Sequence, residues 1–267
     1  MEKAKRKRTD ILLRFPAGRL FLAFWLATGF VFTVRIVFDL KTYCFGSTLI
    51  VQGRTCRYMI RLPAGSIGRG EPRPLLIYLH GAGELRKSVY SLKRHDPGQF
   101  ASNRLSREEF PFIVVCPKNN RGAWKPAQVV RFLEEIQEPQ HTRWRVDPDR
   151  IYLTGYSMGG YGVWETALKY PNHFAAIIPL AGGCRHSFQE CSACPPVWAF
   201  HGELDAIVPP ENSIDMVELC RYLRADHDAA RLTLYPETGH DIAARVYQNP
   251  GLYRWILSHK RHNSNDP

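Results

Sequence analysis

The chain has 267 residues, of which 45% are hydrophobic and 23% are charged, as in an ordinary globular protein. This length suits one α/β domain with an appended segment and excludes a largely disordered chain. The formal net charge is +11, but seven basic and only two acidic side chains lie within the first nineteen residues. Because much of the excess is terminal, and no helix-turn-helix, RNP or zinc-finger pattern occurs, the sequence predicts no nucleic-acid partner.

An apolar segment follows the basic terminus. Residues 20–34 (LFLAFWLATGFVFTV) carry no charge, and beyond Arg35 the run continues to Phe38. As a helix, residues 20–38 extend about 28 Å, close to the roughly 30 Å hydrocarbon core of a bilayer. A small-residue cleavage site after the run is lacking, so an uncleaved signal anchor is favoured over a cleaved signal peptide. A buried core helix is the third alternative.

Short apolar runs alternate with amphipathic segments through the rest of the chain. Partial alternation predicts an edge strand over residues 53–62, whereas residues 85–109 show no regular pattern. Continuous apolar runs predict buried strands over residues 75–79 and 112–116. Further strands are predicted over residues 150–154, 174–183, 196–200 and 232–235. Helical spacing of apolar residues predicts helices over residues 127–138, 161–170 and 213–224. The alternation predicts a mostly parallel, doubly wound sheet with helices on both faces.

The buried strand over residues 75–79 ends in His80, Gly81, Ala82 and Gly83. Glycines at such a position let the backbone turn tightly, so that an N–H group points into the space above the strand end. That is the geometry of an oxyanion-binding donor. We expect His80 to support this loop by hydrogen bonding rather than to accept a proton. A simple glycine turn is the alternative.

Residues 155–159 read Gly-Tyr-Ser-Met-Gly between a predicted strand and a predicted helix. In this context G-x-S-x-G is typical of a nucleophile elbow, in which a strained turn exposes the Ser157 hydroxyl. The neighbouring N–H groups lie at a helix N-terminus, where developing negative charge is favoured. The alternative is a turn that only connects two elements.

A serine nucleophile needs a base, and the base needs an orienting carboxylate. Asp205 follows the strand over residues 196–200, and His240 follows the strand over residues 232–235. Loops after parallel strands meet at one edge of a sheet. We therefore predict that Ser157, Asp205 and His240 form a catalytic triad.

Three other residues near these positions could serve similar roles. Glu203 is an alternative acid, but it lies closer to the strand end than Asp205. His201 is expected to support its loop, and Asp241 to cap a helix. The prediction therefore keeps Asp205 as the acid.

Seven cysteines are an odd number, so at least one has no disulfide partner within the chain. Cys184, Cys191 and Cys194 lie close to His186, but only Cys191 and Cys194 approach metal-ligand spacing. A zinc site is disfavoured, and no metal or other cofactor is predicted. A local disulfide and free thiols both remain open.

Four segments of this sequence resemble one enzyme family over residues 53–260. They are YLHGAGE (78–84), DRIYLTGYSMGGYGVWETALKYPNHFAAIIPLAGG (149–183), PVWAFHGELDAIVP (196–209) and YPETGHD (235–241). They are similar to the predicted peptidase and phospholipase–carboxylesterase branch of the α/β-hydrolase superfamily, which is related to polyhydroxybutyrate-depolymerase-like and feruloyl esterases. The apolar segment before Asp39 and the cysteine cluster depart from that pattern.

The resemblance implies an α/β-hydrolase fold, preceded here by the N-terminal hydrophobic helix. It also implies roles for five residues: Ser157 as nucleophile, Asp205 as acid, His240 as base, and Ala82 and Met158 as oxyanion N–H donors. The expected activity is that of a serine hydrolase acting on small-molecule carboxylic esters through an acyl-enzyme. A serine peptidase of the same fold and an inactive binding protein are the alternatives.

The resulting organisation has five parts. They are a basic cytoplasmic head (1–19), a signal anchor or signal peptide (20–38), a linker (39–52), an α/β-hydrolase catalytic domain (53–262) and a tail (263–267). The basic head predicts a cytoplasmic N-terminus. The catalytic domain is then expected on the non-cytoplasmic side of a membrane, or secreted if the segment is cleaved.

Overall fold

A mixed β-sheet organises the computed structural model, which describes residues 19–25, 31–37, 48–63, 71–101, 105–106, 110–138, 144–185, 193–224 and 227–261. Its strands are β1 (Arg19–Trp25), β2 (Val31–Val37), β3 (Thr48–Gln52), β4 (Arg57–Arg61), β5 (Arg73–Leu79), β6 (Ile113–Pro117), β7 (Val146–Tyr156), β8 (Ala176–Leu180), β9 (Val197–Gly202) and β10 (Ala230–Tyr235). Their order in the sheet is β1-β2-β3-β4-β6-β5-β7-β8-β9-β10.

The strands from β6 to β10 in this order run parallel to one another, and β1 to β4 form an antiparallel extension that joins β6. The parallel part confirms the predicted α/β architecture. The predicted edge strand is wrong in its position, because β4 lies between β3 and β6. Tyr58, Met59 and Ile60 are accordingly inaccessible to solvent.

The helices are α1 (Pro97–Ala101), α2 (Pro126–Gln137), α3 (Met158–Lys169), α4 (Glu211–Leu223), α5 (Ala243–Tyr247) and α6 (Pro250–Leu257). Helices α2, α3 and α4 bury apolar side chains against one face of the sheet, and α1, α5 and α6 against the other. Side chains along β5 alternate between these two cores: Leu75 and Ile77 join the first, and Leu76 and Tyr78 the second. The prediction of helices on both faces is confirmed.

The N-terminal segment differs from the prediction. In place of one hydrophobic helix over residues 20–38, the structure has β1 and β2, and β2 pairs with β3. β-Branched residues such as Val31, Ile36 and Val37 favour extended backbone. No helix in the described part of the chain is both long and apolar enough to span a bilayer. The predicted linker contains β3, and residues 1–18 and the predicted tail lie outside the described residues.

A disulfide joins Cys194 to Cys220 in α4, 26 residues away in the sequence. The bond is not confined to the cysteine cluster over residues 184–194, where a local disulfide was considered. Cys191 and His186 lie outside the described residues. Within the described residues, no group of three or more His, Cys, Asp and Glu side chains is arranged so that it could hold a metal ion.

Candidate active site

The turn between β7 and α3 holds Ser157 at φ 56° and ψ −117°, a backbone conformation that residues other than glycine rarely adopt. Two glycines allow the close packing around it. A Cβ atom on Gly159 would lie 1.9 Å from the Leu79 carbonyl oxygen, and one on Gly155 would lie 2.6 Å from the Gly159 carbonyl oxygen. The Ser157 N–H also donates to the Leu180 carbonyl over 2.9 Å. The pattern G-x-S-x-G is therefore a steric requirement of this turn.

Ser157, His240 and Asp205 meet at the carboxyl edge of the parallel strands. The distance from Ser157 Oγ to His240 Nε2 is 2.9 Å, and the distance from His240 Nδ1 to Asp205 Oδ2 is 2.6 Å. Because a carboxylate only accepts, Nδ1 carries the ring proton and Nε2 accepts the serine hydroxyl. The structure thus brings together the three side chains that the sequence predicted to converge.

Asp205 is the carboxylate that contacts His240, whereas the Glu203 side chain is exposed. The other oxygen of Asp205, Oδ1, accepts the N–H groups of Ile207 and Val208, each over 2.9 Å. Burial by itself raises the pKa of Asp205, but these donors and His240 outweigh burial and lower the pKa. The carboxylate therefore stays ionised at neutral pH and can hold the imidazole.

Close backbone packing brings the loop of His240 to the loop of Asp205. A Cβ atom on Gly202 would lie 2.2 Å from the Gly239 carbonyl oxygen and 2.3 Å from that of Thr238. The Leu204 N–H also donates to the Thr238 carbonyl over 2.9 Å. The two loops can therefore approach closely enough for the acid and the base to bond.

Tyr156 is a site residue that the sequence analysis missed. Its hydroxyl donates to the His240 carbonyl over 3.0 Å, and its ring centroid lies 5.0 Å from that of the imidazole. Burial raises the pKa of Tyr156, so the hydroxyl stays protonated and remains a donor. Its only sequence signal is its place directly before Ser157 in the elbow.

Ala82 and Met158, the predicted oxyanion donors, both begin helical segments. Ala82 opens the 3₁₀ helix Ala82–Glu84, and Met158 opens α3. The first N–H groups of a helix have no acceptor within it, so they are available to a ligand. Gly81 brings the first of these segments close to the nucleophile, since a Cβ atom there would lie 3.7 Å from Ser157 Cβ.

His80 is completely buried, and both nitrogens of its ring bond backbone groups. Nδ1 donates to the Gly81 carbonyl over 2.9 Å, and Nε2 accepts the N–H of Asn119 over 3.1 Å. Burial lowers the pKa of His80 to about 4, so the ring is neutral near pH 7. This is the supporting position expected from the sequence. Gly83, also predicted to support this loop, is not required for close packing, because a Cβ atom there would meet no atom within 4 Å.

Lys118 is a second residue that the sequence analysis missed. Its buried ammonium donates to the carbonyls of Glu84 and Leu85 over 2.7 and 3.1 Å, and to Asn120 Oδ1 over 2.6 Å. These bonds tie the segment after Ala82 to the loop that follows β6. A lysine after an apolar strand carries no signal of this role, because two of its partners, Glu84 and Leu85, lie 34 and 33 residues earlier in the chain.

Comparisons with known proteins agree with this geometry. Residues 127–249 match the family described as Phospholipase/Carboxylesterase. The protein named "Putative esterase NocK" of Nocardia uniformis subsp. tsuyamanensis is 26% identical over 170 residues, which are 60% of this chain and 48% of that protein. Poly(3-hydroxyalkanoate) depolymerase C of Paucimonas lemoignei is 24% identical over 151 residues, which are 40% of this chain and 36% of that protein.

These alignments span about half or less of the two curated relatives. Among solved structures, a thermostable esterase superposes with a TM-score of 0.64 at 23% identity, covering 86% of this chain and 73% of that chain. At this identity the likeness shows the fold alone. Sheet topology, elbow and family match together confirm the resemblance drawn from the sequence: the chain has the α/β-hydrolase fold and is similar to the phospholipase and carboxylesterase branch of that superfamily.

Proposed function

We propose that the protein is a serine hydrolase that cleaves carboxylic esters. The observation that carries the proposal is the continuous chain of hydrogen bonds from Ser157 Oγ through His240 to Asp205. This arrangement converts a weakly nucleophilic hydroxyl into one whose proton has a base within reach. The strained backbone of Ser157 presents that hydroxyl at the open edge of the sheet.

The reaction proceeds in two halves. Ser157 Oγ attacks the ester carbonyl while its proton passes to His240 Nε2, and Asp205 stabilises the resulting imidazolium through Nδ1. His240 then returns the proton to the leaving alcohol, which leaves an acyl group on Ser157. In the second half His240 removes a proton from water, which attacks the acyl-enzyme, and the acid is released with Ser157 restored.

The tetrahedral intermediate of each half carries an oxyanion. We assign its stabilisation to the N–H groups of Ala82 and Met158, which begin helical segments beside the nucleophile. Loss of one such donor typically raises the barrier by on the order of 3 kcal/mol. Lys118 and His80 contribute indirectly, because they hold the backbone that carries the Ala82 N–H.

The relatives support an ester substrate rather than a peptide. They are named as an esterase, an acetylxylan esterase/xylanase, a poly(3-hydroxyalkanoate) depolymerase and a feruloyl esterase. These names differ in acid and alcohol, but three of the four contain the word esterase. The proposed substrate class is therefore small-molecule carboxylic esters, with no acyl chain singled out.

Labelling with a fluorophosphonate probe tests the proposal without a known substrate. We expect the wild-type protein to be labelled and the Ser157→Ala variant to stay unlabelled. Rates on p-nitrophenyl esters and on aminoacyl anilides then separate ester from peptide hydrolysis. Unlabelled wild-type protein, or equal labelling of the variant, would refute the triad, and faster anilide cleavage would favour a peptidase.

Localisation is proposed from the sequence. The basic terminus and the uncharged run over residues 20–34 support a signal anchor, with the catalytic domain on the non-cytoplasmic side. Such an anchor requires this run to cross the bilayer as a helix instead of pairing as β1 and β2. The disulfide between Cys194 and Cys220 supports export, because such bonds persist in oxidising compartments. In cells expressing the full chain, retention in the membrane pellet after carbonate extraction is expected. Release into the medium would instead indicate secretion after cleavage, and a cytosolic protein would contradict both.

A further inference from the structure

A second histidine contacts the acid of the proposed triad. His201 ends β9, is inaccessible to solvent, and places Nε2 3.2 Å from Asp205 Oδ2 and 2.9 Å from the Val208 carbonyl oxygen. Its other nitrogen, Nδ1, lies 2.7 Å from Ser213 Oγ in α4. The imidazole is thus fixed on both sides, and one side faces the same carboxylate oxygen that receives the N–H of His240.

The partners determine which nitrogen carries the proton. Both neighbours of His201 Nε2, an ionised carboxylate and a carbonyl, can only accept, so Nε2 must donate. Burial lowers the pKa of His201, although the contact with Asp205 acts in the opposite direction, so the ring is neutral at neutral pH. Nδ1 of the neutral ring is then an acceptor 2.7 Å from Ser213 Oγ, and the single hydrogen of that hydroxyl is shared between Nδ1 and the Gly182 carbonyl oxygen, which accepts it over 2.9 Å.

We propose that His201 is a positioning residue for the triad: its Nε2–H, which bonds the Val208 carbonyl, also lies beside Asp205 Oδ2 at an N–O distance of 3.2 Å and thereby limits the pull of that carboxylate on His240. The proposal rests on the proposed serine hydrolase function. Oδ2 serves two imidazoles, and each added donor disperses its negative charge. Without His201, Asp205 would hold a protonated His240 more strongly, so a higher pH would be needed to free the base.

Other polar and charged groups also face Asp205 and His240, and the test must leave them unchanged. The N–H groups of Ile207 and Val208 bind Oδ1 of Asp205, and the hydroxyl of Tyr156 binds the backbone of His240. The nearby titratable groups besides the two histidines are Tyr156, Tyr161 and Asp241. A variant at position 201 leaves all of these in place.

Two amide substitutions at position 201 separate the effect of the N–H group near Asp205 from the effect of filling the space of the imidazole. The amide nitrogen of glutamine reaches the place of Nε2, whereas the shorter asparagine reaches only the place of Nδ1. We expect H201Q to keep the wild-type pH dependence of fluorophosphonate labelling. We expect H201N to move the half-maximal pH upward by about half a unit or more. H173Q, which removes a histidine in the 3₁₀ helix Pro171–His173, should leave the profile unchanged.

The outcomes distinguish this inference from the proposed function. Absence of labelling in wild-type protein would refute the function itself. Labelling with the same half-maximal pH in H201N and wild type, or an equal shift in H201N and H201Q, would refute only the role of His201. If H201N does not fold, ¹⁵N NMR of the wild-type histidine rings decides: a neutral His201 protonated on Nε2 supports the inference, and protonation on Nδ1 overturns it.

Discussion

Two loops of this protein share one sequence pattern and differ in what the pattern does. Residues 80–84 (HGAGE), the first His-Gly loop, follow β5, and residues 201–205 (HGELD), the second His-Gly loop, include the end of β9. Each begins with a completely buried histidine and carries a carboxylate four residues later. In the sheet order, β7 and the nucleophile lie between them.

The difference lies in the partners of each histidine and each carboxylate. In the first His-Gly loop, His80 bonds backbone groups and Glu84 accepts from Lys87 and Ser91. In the second, His201 bonds the Val208 carbonyl and Ser213, and its Nε2 lies 3.2 Å from the carboxylate of its own loop, Asp205, which bonds His240. The first loop therefore presents a backbone N–H group, and the second presents a charged side chain. One local pattern serves both purposes because the surrounding chain decides where each carboxylate points.

The largest expected effect separates the two carboxylates. Asp205→Asn should lower kcat on an ester by on the order of 10⁴-fold, because the amide no longer stabilises the protonated base. Glu84→Gln should keep most of the wild-type rate, because Glu84 bonds Lys87 and Ser91 rather than His240. Steady-state kinetics on one p-nitrophenyl ester checks both. Equal losses of kcat in the two variants would contradict the assignment of Asp205, rather than Glu84, as the carboxylate that acts on the base.

The glycines that follow the two histidines should respond differently to alanine. A Cβ atom at Gly202 would lie 2.2 Å from a backbone oxygen, whereas at Gly81 the closest atom, the Tyr156 carbonyl oxygen, would be 3.3 Å away. Gly202→Ala should therefore lower the free energy of unfolding by about 3 kcal/mol or more, and Gly81→Ala by less than about 1 kcal/mol. Urea denaturation measures both. A well-tolerated Gly202→Ala would contradict the close packing of the Asp205 and His240 loops.

The smallest effect concerns the pH dependence of stability through His80. Its pKa is lowered from 6.5 to about 4, so the unfolded chain binds a proton more readily than the folded one. The contribution of the neutral His80 ring to the free energy of unfolding is complete above pH 6.5 and is lost progressively as the pH falls toward 4. Between about pH 7.5 and 5 the wild type should lose about 2 kcal/mol more unfolding free energy than His80→Gln.

Urea titrations at the two pH values measure that difference, and groups unaffected by the substitution cancel in the comparison. Parallel losses in the wild type and His80→Gln would mean that the ring of His80 is hydrated or already protonated in the folded protein. The first His-Gly loop would then not be held by the neutral imidazole.

The parallel core could be read from the sequence because its signals are local. The sequence predicted β5 to β10 to within a few residues. The signal is clearest in β5 and β6, because strands buried on both faces need no polar side chains. The prediction failed where pairing rather than composition decides. β3 has a short run of three apolar residues, Leu49 to Val51, which the sequence analysis placed in a linker, and it pairs with β4 and β2. Residues 20–38 are apolar enough for a helix, and the same residues contain β1 and β2.

The candidate site shows the same division. The sequence by itself determined that Ser157 lies in a strained elbow and that Asp205 and His240 each follow a strand, because the order of strand, loop and helix is written along the chain. Only the tertiary structure decided that Tyr156 contacts the base, that His201 contacts the acid, and that Cys194 bonds Cys220. These contacts depend on which chain segments pack side by side. The base and the nucleophile are 83 residues apart, and their distance is set by packing rather than by any local preference of either segment.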